Sequence, residues 1–251
     1  MTPYFHDLRA GITIYHGRAE DVLPGLGKFT AIITDPPYSE RTHSGHDGYT
    51  AEHSGNDGMN RSALPYSFLT EEDCGRLARL FSDATDGWIV WMMDDVLYPP
   101  SRESLSRIGR YVFAPVPFVH PGSRVRLSGD GPSSWTAWLC VSRTKAQIWW
   151  GTLPGAYIAG RGKEWNDRSC MGGKPTALMG LLIEHYAHCQ GPICDPMCGA
   201  GSTLVAAKNL SVEAVGIDVE ESMCEKAAER LSQSVLPFRE KPCVVPAPML
   251  I

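Results

Sequence analysis

The sequence predicts an α/β fold, a doubly wound and mostly parallel sheet with a small irregular insertion. Three observations predict it. Short apolar, β-branched runs alternate along the chain with stretches of helical periodicity. One such run, Ala31-Ile32-Ile33-Thr34, stops abruptly at Asp35-Pro36-Pro37-Tyr38. Another, Ile193-Cys194, runs into Asp195-Pro196-Met197 and then a Gly-x-Gly turn. Acids at strand ends lie where open α/β sheets place their ligands.

Size and composition agree with one catalytic-sized domain spanning 1–251. The chain has 251 residues, 43% hydrophobic and 20% charged, enough for a substantial core. No apolar run reaches the ~18 residues a membrane span needs. Met1 to Asp7 has no basic and apolar leader pattern, so the chain reads as cytoplasmic. Eight cysteines occur without a Cys-x-x-Cys pair and read as reduced, buried thiols. A zinc site is the weaker reading, because Cys194 and Cys198 flank a turn. Net charge is -5. Residues 101–172 hold ten Lys/Arg against four Asp/Glu, a local +6, so the remainder carries -11. That asymmetry points to a nucleic-acid face on an acidic body, with a solvated basic surface as the competing reading.

In chain order, Gly11–His16 alternates and is β-branched, which predicts a strand. A short helix over Ala19–Leu23 is stopped by Pro24 and Gly25. Phe29–Ile33 is the strand that delivers Asp35. Residues 39–62 are polar and lack periodicity, predicting a mobile loop after the Asp35 strand. His43, His46, Asp47 and His53 within it have ligand chemistry, but their glycine-rich setting argues against a metal. Thr70 caps an acid-rich helix start. Trp88–Met93 is an apolar strand ending in Asp94-Asp95, and a helix follows Pro99-Pro100 as far as Arg110. Tyr111–Val116 and Trp135–Ser142 read as further strands.

Residues 120–172 form the candidate target-recognition insertion. Basic and aromatic side chains interleave there, which suits phosphate contacts and base stacking. Arg124, Arg126, Arg143, Lys145, Arg161 and Lys163 are the candidate DNA-binding residues. Trp149 and Trp150 serve equally as core. After Lys174-Pro175 come a helix over Thr176–Cys189, a strand into Asp195, a helix over Leu204–Leu210, a strand over Glu213–Ile217 and a helix over Ser222–Ser232.

The chemistry follows from residue types. Two prolines cannot continue a strand ladder, so Asp35 is held at its end. A carboxylate and the Pro36 carbonyl can accept both hydrogens of an exocyclic NH2, and the Tyr38 ring can stack on the base that carries it. In the second motif, Gly199 and Gly201 admit close backbone approach, and Asp218 at the next strand end suits ribose hydroxyls. Leu204 stands where a dinucleotide fingerprint needs its third glycine. That favours S-adenosylmethionine over a pyrophosphate cofactor.

Taken together, Asp35-Pro36-Pro37-Tyr38 preceding Asp195-Pro196-Met197-Cys198-Gly199-Ala200-Gly201-Ser202-Thr203 resembles the β-class DNA amino-methyltransferases, which act on N6 of adenine or N4 of cytosine. The resemblance covers Gly11–Tyr38 and Gly173–Leu231. It implies a Rossmann-like, class I methyltransferase fold and S-adenosylmethionine as cofactor. It makes Asp35, Pro36, Pro37 and Tyr38 catalytic. It assigns cofactor contacts to Asp35, Lys174, Asp195, Pro196, Cys198, Gly199, Ala200, Gly201, Ser202, Thr203, Asp218 and Glu20. Glu20 enters, with Asp21 as the other candidate, because Gly17-Arg18 replaces the family's Gly-Asp pair.

Adenine is the first expectation, since the N4-cytosine members more often begin the motif with Ser. RNA or protein-amide substrates, and a binding module without turnover, are the competing classes. DNA with an extruded base is the expected partner, with no membrane. A homodimer that supplies recognition from a second copy stays open, as do restriction protection, regulation and evasion of phage defence as roles.

Overall fold

A computed structural model of the chain describes residues 2–42, 68–122, 131–146, 151–160, 165 and 173–233. Its elements begin with β1 (Phe5–Asp7), β2 (Ile12–His16), α1 (Ala19–Val22) and β3 (Phe29–Thr34). Most of the expected loop over 39–62 lies outside the described residues. Beyond it come α2 (Glu71–Ala84), β4 (Thr85–Met93), α3 (Tyr98–Arg107), β5 (Tyr111–Val112) and β6 (Val116–Val119). Next are β7 (Thr136–Arg143), β8 (Tyr157–Ile158) and α4 (Thr176–Leu182). The last four are β9 (Ile193–Asp195), α5 (Ser202–Asn209), β10 (Ala214–Asp218) and α6 (Glu221–Ser232).

The strands form one ten-stranded sheet in the order β1-β2-β10-β9-β3-β4-β7-β6-β8, with β5 also paired to β7. Strands β2, β10, β9, β3 and β4 are mutually parallel, the doubly wound centre the sequence predicts. β1 and β7 run against it. The expected strand over Tyr111–Val116 is two strands, both antiparallel to β7. Pro115 lies at the break, where a missing N–H cannot serve the ladder. β1 and β8, of three and two residues, carry too few positions to show a period; edge pairing makes them strands.

Alternation along the central strands splits the core in two. Ala31, Ile33, Val90 and Met92 face α4, α5 and α6, meeting Leu178, Leu182, Leu204 and Ala227. Ile32, Ile89, Trp91 and Met93 face α1, α2 and α3, meeting Val22, Leu77, Phe81 and Leu105. α2 starts in a capping box: the Thr70 hydroxyl accepts from the Asp73 N–H, and the Asp73 carboxylate accepts from the Thr70 N–H. Behind these layers Arg110 is buried. Its guanidinium donates to the carbonyls of Thr85, Gly87 and Ser142, stitching the start of β4 to the end of β7.

The Rossmann-like sheet with helices on both faces therefore stands. Of the cysteines, Cys74, Cys140, Cys194, Cys198 and Cys224 are buried free thiols. Cys189 is disulfide-bonded, which departs from the expectation of thiols reduced throughout. Among the described residues no helix is long and apolar enough to cross a membrane.

The register of β3 on β4 shifts between Phe29 and Ala31, and Gly87 lies against that irregularity. A Cβ on Gly87 would stand 2.0 Å from the Thr30 carbonyl oxygen. Gly87→Ala is expected to lower stability by about 1–3 kcal/mol, the cost of overpacking. The check is the chemical-denaturation midpoint, and an unchanged midpoint would show that the strands part freely there.

Candidate active site

β3 and β9 are adjacent and parallel, with Ala31 opposite Ile193 and Ile32 opposite Cys194. Asp35 and Asp195 thus leave neighbouring strands at the same, carboxyl, edge of the sheet. Thr34 closes β3 with its hydroxyl on Asp195 Oδ1 at 2.8 Å. Thr203, in the first turn of α5, donates to Asp195 Oδ2 at 2.6 Å, and the Met197 N–H reaches Oδ1 at 3.3 Å. Asp195 is 3% exposed. Burial raises its carboxyl to about 7, against the opposing pull of these hydrogen bonds.

The turn after Asp195 carries left-handed backbone at Gly199 (φ 51°) and Gly201 (φ 77°), where an L side chain is strained. A Cβ on Gly201 would also meet the Ala227 Cβ at 2.9 Å. Pro196, Cys198, Ala200, Ser202 and Thr203 are buried. Their side chains shape the turn from beneath, and Cys198 belongs to the core. Gly199 is only partly buried, and its N–H donates to Asp218 Oδ2 at 2.7 Å. The other oxygen of Asp218 accepts from the Glu220 N–H at 2.9 Å. Burial raises the Asp218 carboxyl above its ordinary value. The Gly17 N–H bonds the Asp218 carbonyl, so the end of β2 lies alongside. α1 follows at once, bringing Glu20 to the same edge, where it pairs with Arg76 at 3.1 Å and Arg18 at 3.5 Å.

Around Asp35 the contacts are dense. Lys174 Nζ lies 2.8 Å from Oδ1 and 2.7 Å from Oδ2. The Tyr38 hydroxyl donates to Oδ1 at 3.0 Å. The same ammonium stands 4.8 Å from the centre of the Tyr38 ring. The two charged side chains are 13% and 16% exposed, so the pair is shielded yet open on one side. Pro36 is buried, and Pro37 and Tyr38 are half-buried. A nitrogen bearing several hydrogens therefore already sits on both oxygens of Asp35 and above an aromatic face. Lys174, expected at the cofactor, is here paired with Asp35.

The basic candidates divide differently. Arg124, Arg126, Arg161 and Lys163 lie outside the described residues, as do His43, His46, Asp47, His53, Trp149 and Trp150. Arg143 ends β7, one residue past the Ser142–Ile89 pair, whereas Asp35 follows the Thr34–Trp91 pair. The two positions are roughly 13 Å apart along the strands, at about 3.3 Å per residue. Because β7 is antiparallel, its carboxyl end returns toward the opposite edge. The Arg143 guanidinium lies over the rings of Tyr111 at 5.0 Å and Phe113 at 5.7 Å. Lys145 is exposed, just beyond Thr144, whose hydroxyl reaches the Asp86 carbonyl at the start of β4. Neither residue is brought to the Asp35 edge. Among the described residues no His/Cys/Asp/Glu group could hold a metal ion.

Three residues outside the motifs support the site. Thr34 joins the two motifs through its bond to Asp195. Arg230 of α6 donates to the Ala200 carbonyl at 2.6 Å and to the Thr176 hydroxyl at 3.4 Å, tying the glycine turn to the segment after Lys174. Asp94, after β4, accepts from Ser39 and Thr42. Asp94 carried a readable signal, an acid closing an apolar strand. Arg230 carried none.

Fold and site together define an α/β protein in which a carboxylate at one strand end, Asp35, lies beside a glycine turn that follows the neighbouring strand. Residues 147–229, about a third of the chain, match the N6/N4 methyltransferase family model, described as DNA methylase. The crystal structure of the M1.HpyAVI–SAM complex aligns with TM-score 0.68 at 19% identity, covering 88% of this chain and 100% of that one. TTHA0409 from Thermus thermophilus aligns with TM-score 0.61 at 17% identity, over 87% of this chain and 93% of that one. The cytosine-N4-specific PvuII DNA methyltransferase aligns with TM-score 0.61 at 12% identity, over 90% and 88%. No curated protein matches the chain. The fold is that of class I methyltransferase structures, and the resemblance to DNA amino-methyltransferases holds over the family-matched segment that carries the glycine turn.

The raised Asp195 carboxyl makes a stability prediction. Its folded pKa of about 7 exceeds the unfolded ~3.9, so the folded state holds the proton more tightly. The resulting stabilisation is full below the unfolded value and is lost as pH rises through about 7. Asp195→Asn, which does not titrate, is expected to gain stability relative to wild type between about pH 5 and pH 8. Urea midpoints of both proteins at the two pH values check it; a constant difference would show that Asp195 is ionised throughout.

Proposed function

We propose that the chain is an S-adenosylmethionine-dependent DNA methyltransferase that modifies the exocyclic amine of an extruded base, N6 of adenine. The observation that carries this reading is the Asp35–Tyr38–Lys174 cluster one strand away from the Gly199–Gly201 turn. The residues present suit the cofactor. Asp195 and Asp218 flank the turn, an acidic setting that fits a sulfonium and opposes a pyrophosphate. The Gly199–Gly201 backbone would face its methionine part, Asp218 its ribose hydroxyls, and Glu20 its adenine. When bound, S-adenosylmethionine supplies an electrophilic methyl carbon and leaves as a neutral thioether.

The chain's own groups do the rest by placement. Asp35 and the Pro36 carbonyl accept the two amine hydrogens, which turns the nitrogen lone pair away from them. Tyr38 stacks on the base, and its hydroxyl fixes the Asp35 rotamer. Fixed acceptors facing charge that develops on N–H, together with orientation, supply several kcal/mol without a covalent intermediate. Lys174 must yield the Asp35 oxygens as the amine arrives. The proton leaves nitrogen only after it becomes cationic, so Asp35 need not be a strong base. The Asp-first motif favours adenine; N4 of cytosine is the second reading, supported by the likeness to the cytosine-N4-specific PvuII fold. The +6 balance of residues 101–172 supports a polyanionic substrate, and contacts to it are assigned to the connections around β7 within 120–172.

Unmethylated duplex DNA incubated with the chain and S-adenosylmethionine, then digested to nucleosides for mass spectrometry, tests this. The expected product is N6-methyladenine, with Asp35→Ala at least about a hundredfold slower while still binding cofactor. N4-methylcytosine would move the reaction to the other amine. No modified nucleoside from wild type, with cofactor bound, would overturn DNA as substrate.

A further inference from the structure

The Tyr38–Ser39 peptide is held on both sides. The Tyr38 carbonyl accepts from the Leu69 N–H at 3.0 Å. The Ser39 N–H donates to Asp94 Oδ2 at 3.1 Å. That oxygen also takes the Ser39 hydroxyl at 2.5 Å and the Thr42 hydroxyl at 2.5 Å. Asp94 Oδ1 accepts the Leu97 N–H at 3.1 Å. Asp94 is 6% exposed, and its donors among the described residues are two hydroxyls and two amides, none of them cationic. Beside it Arg41 pairs with Asp95.

A buried carboxylate held by neutral donors is costly, and it persists only where those donors are well aimed. Burial works to raise the Asp94 carboxyl; the bonds from Ser39, Thr42 and the Leu97 amide outweigh it and hold the group below its ordinary value. An ionised carboxylate can only accept. It therefore dictates where the Ser39 N–H and both hydroxyls point. Since the 38–39 peptide plane is fixed through Ser39, so is the exit of the chain from Tyr38. The Tyr38 ring and its hydroxyl on Asp35 depend on that exit.

We propose that Asp94 is a positioning residue for methyl transfer, holding the Tyr38 ring in stacking register with the target base through Ser39 and Thr42. This rests on the reading of Tyr38 as the base-stacking residue. The remainder of Asp94's bonding, to Leu97 ahead of α3, serves only the turn. The two roles can be separated, because Ser39 and Thr42 engage Oδ2 alone.

The test is a double-mutant cycle on the full chain, read as the single-turnover methylation rate on DNA. Asp94→Asn is expected to slow methylation about tenfold to a hundredfold, as misplaced reacting groups do. S-adenosylmethionine affinity should stay within about twofold, because Asp195 and Asp218 lie on other strands. In a Tyr38→Ala background the same substitution should slow the rate by less than about twofold. The pair Ser39→Ala and Thr42→Val, which removes both hydroxyl donors but keeps the Ser39 N–H bond, should lower thermal stability and slow methylation in the same direction as Asp94→Asn but by less, and it replaces Asp94→Asn if that variant does not fold. Equal losses with and without Tyr38, or no loss at all, would overturn the proposal. A wild-type chain that methylates no DNA would instead overturn the parent reading.

Discussion

The Asp35 motif and the Asp195 glycine turn, far apart in the chain, must meet for the proposed methyl transfer. Parallel pairing of β3 with β9 makes them meet. Each strand ends in an acid at the same edge, and the Thr34 hydroxyl on Asp195, across 161 residues of sequence, locks the two ends together. Asp195 is the costly member of this arrangement. It is buried among polar donors and pushed up to about 7, yet it holds the base of the glycine turn and the last residue before Asp35 at once. Replacing it by an apolar residue would leave the Thr34 and Thr203 hydroxyls without their acceptor and would free one motif from the other.

The rest of the fold serves that junction from both faces. α4, α5 and α6 bury one side of the central strands, and α1, α2 and α3 the other. α6 reaches beyond packing, because Arg230 holds the Ala200 carbonyl and the Thr176 hydroxyl together. The glycine turn and the Lys174 segment are thereby positioned by one guanidinium on a third element. Its planar array of donors can address several acceptors simultaneously, as a lysine ammonium on a flexible stem would not do with the same order.

Much of this was legible from local pattern. Apolar β-branched runs stopped by acids and prolines located β3, β9 and β10, and the glycine turn needed no tertiary knowledge. Strand direction was not legible. β7 reads as an apolar strand whichever way it runs, and its reversal carries Arg143 and Lys145 away from the Asp35 edge. Nor were β1 and β8 legible, because two or three residues show no period. Asp94 acts on an amide 55 residues away in sequence, and Arg230 on a carbonyl 30 residues away. An acid or arginine near the end of an element announces its charge in the sequence, but the partner that gives it a role comes only from the topology.

The Lys174 ammonium on Asp35 bears on what the proposed amine site would select. Two carboxylate oxygens at 2.7 and 2.8 Å from one nitrogen, under a ring 4.8 Å away, recognise a flat or cationic N–H donor. They do not distinguish adenine from cytosine, because both present an NH2 on an aromatic edge and both stack. Discrimination between the two bases must therefore come from groups that meet the remainder of the ring or its flanking nucleotides. In the proposed reading, Asp35 and Tyr38 hold the amine and aim its lone pair. In that reading the identity of the base is decided by groups other than these two.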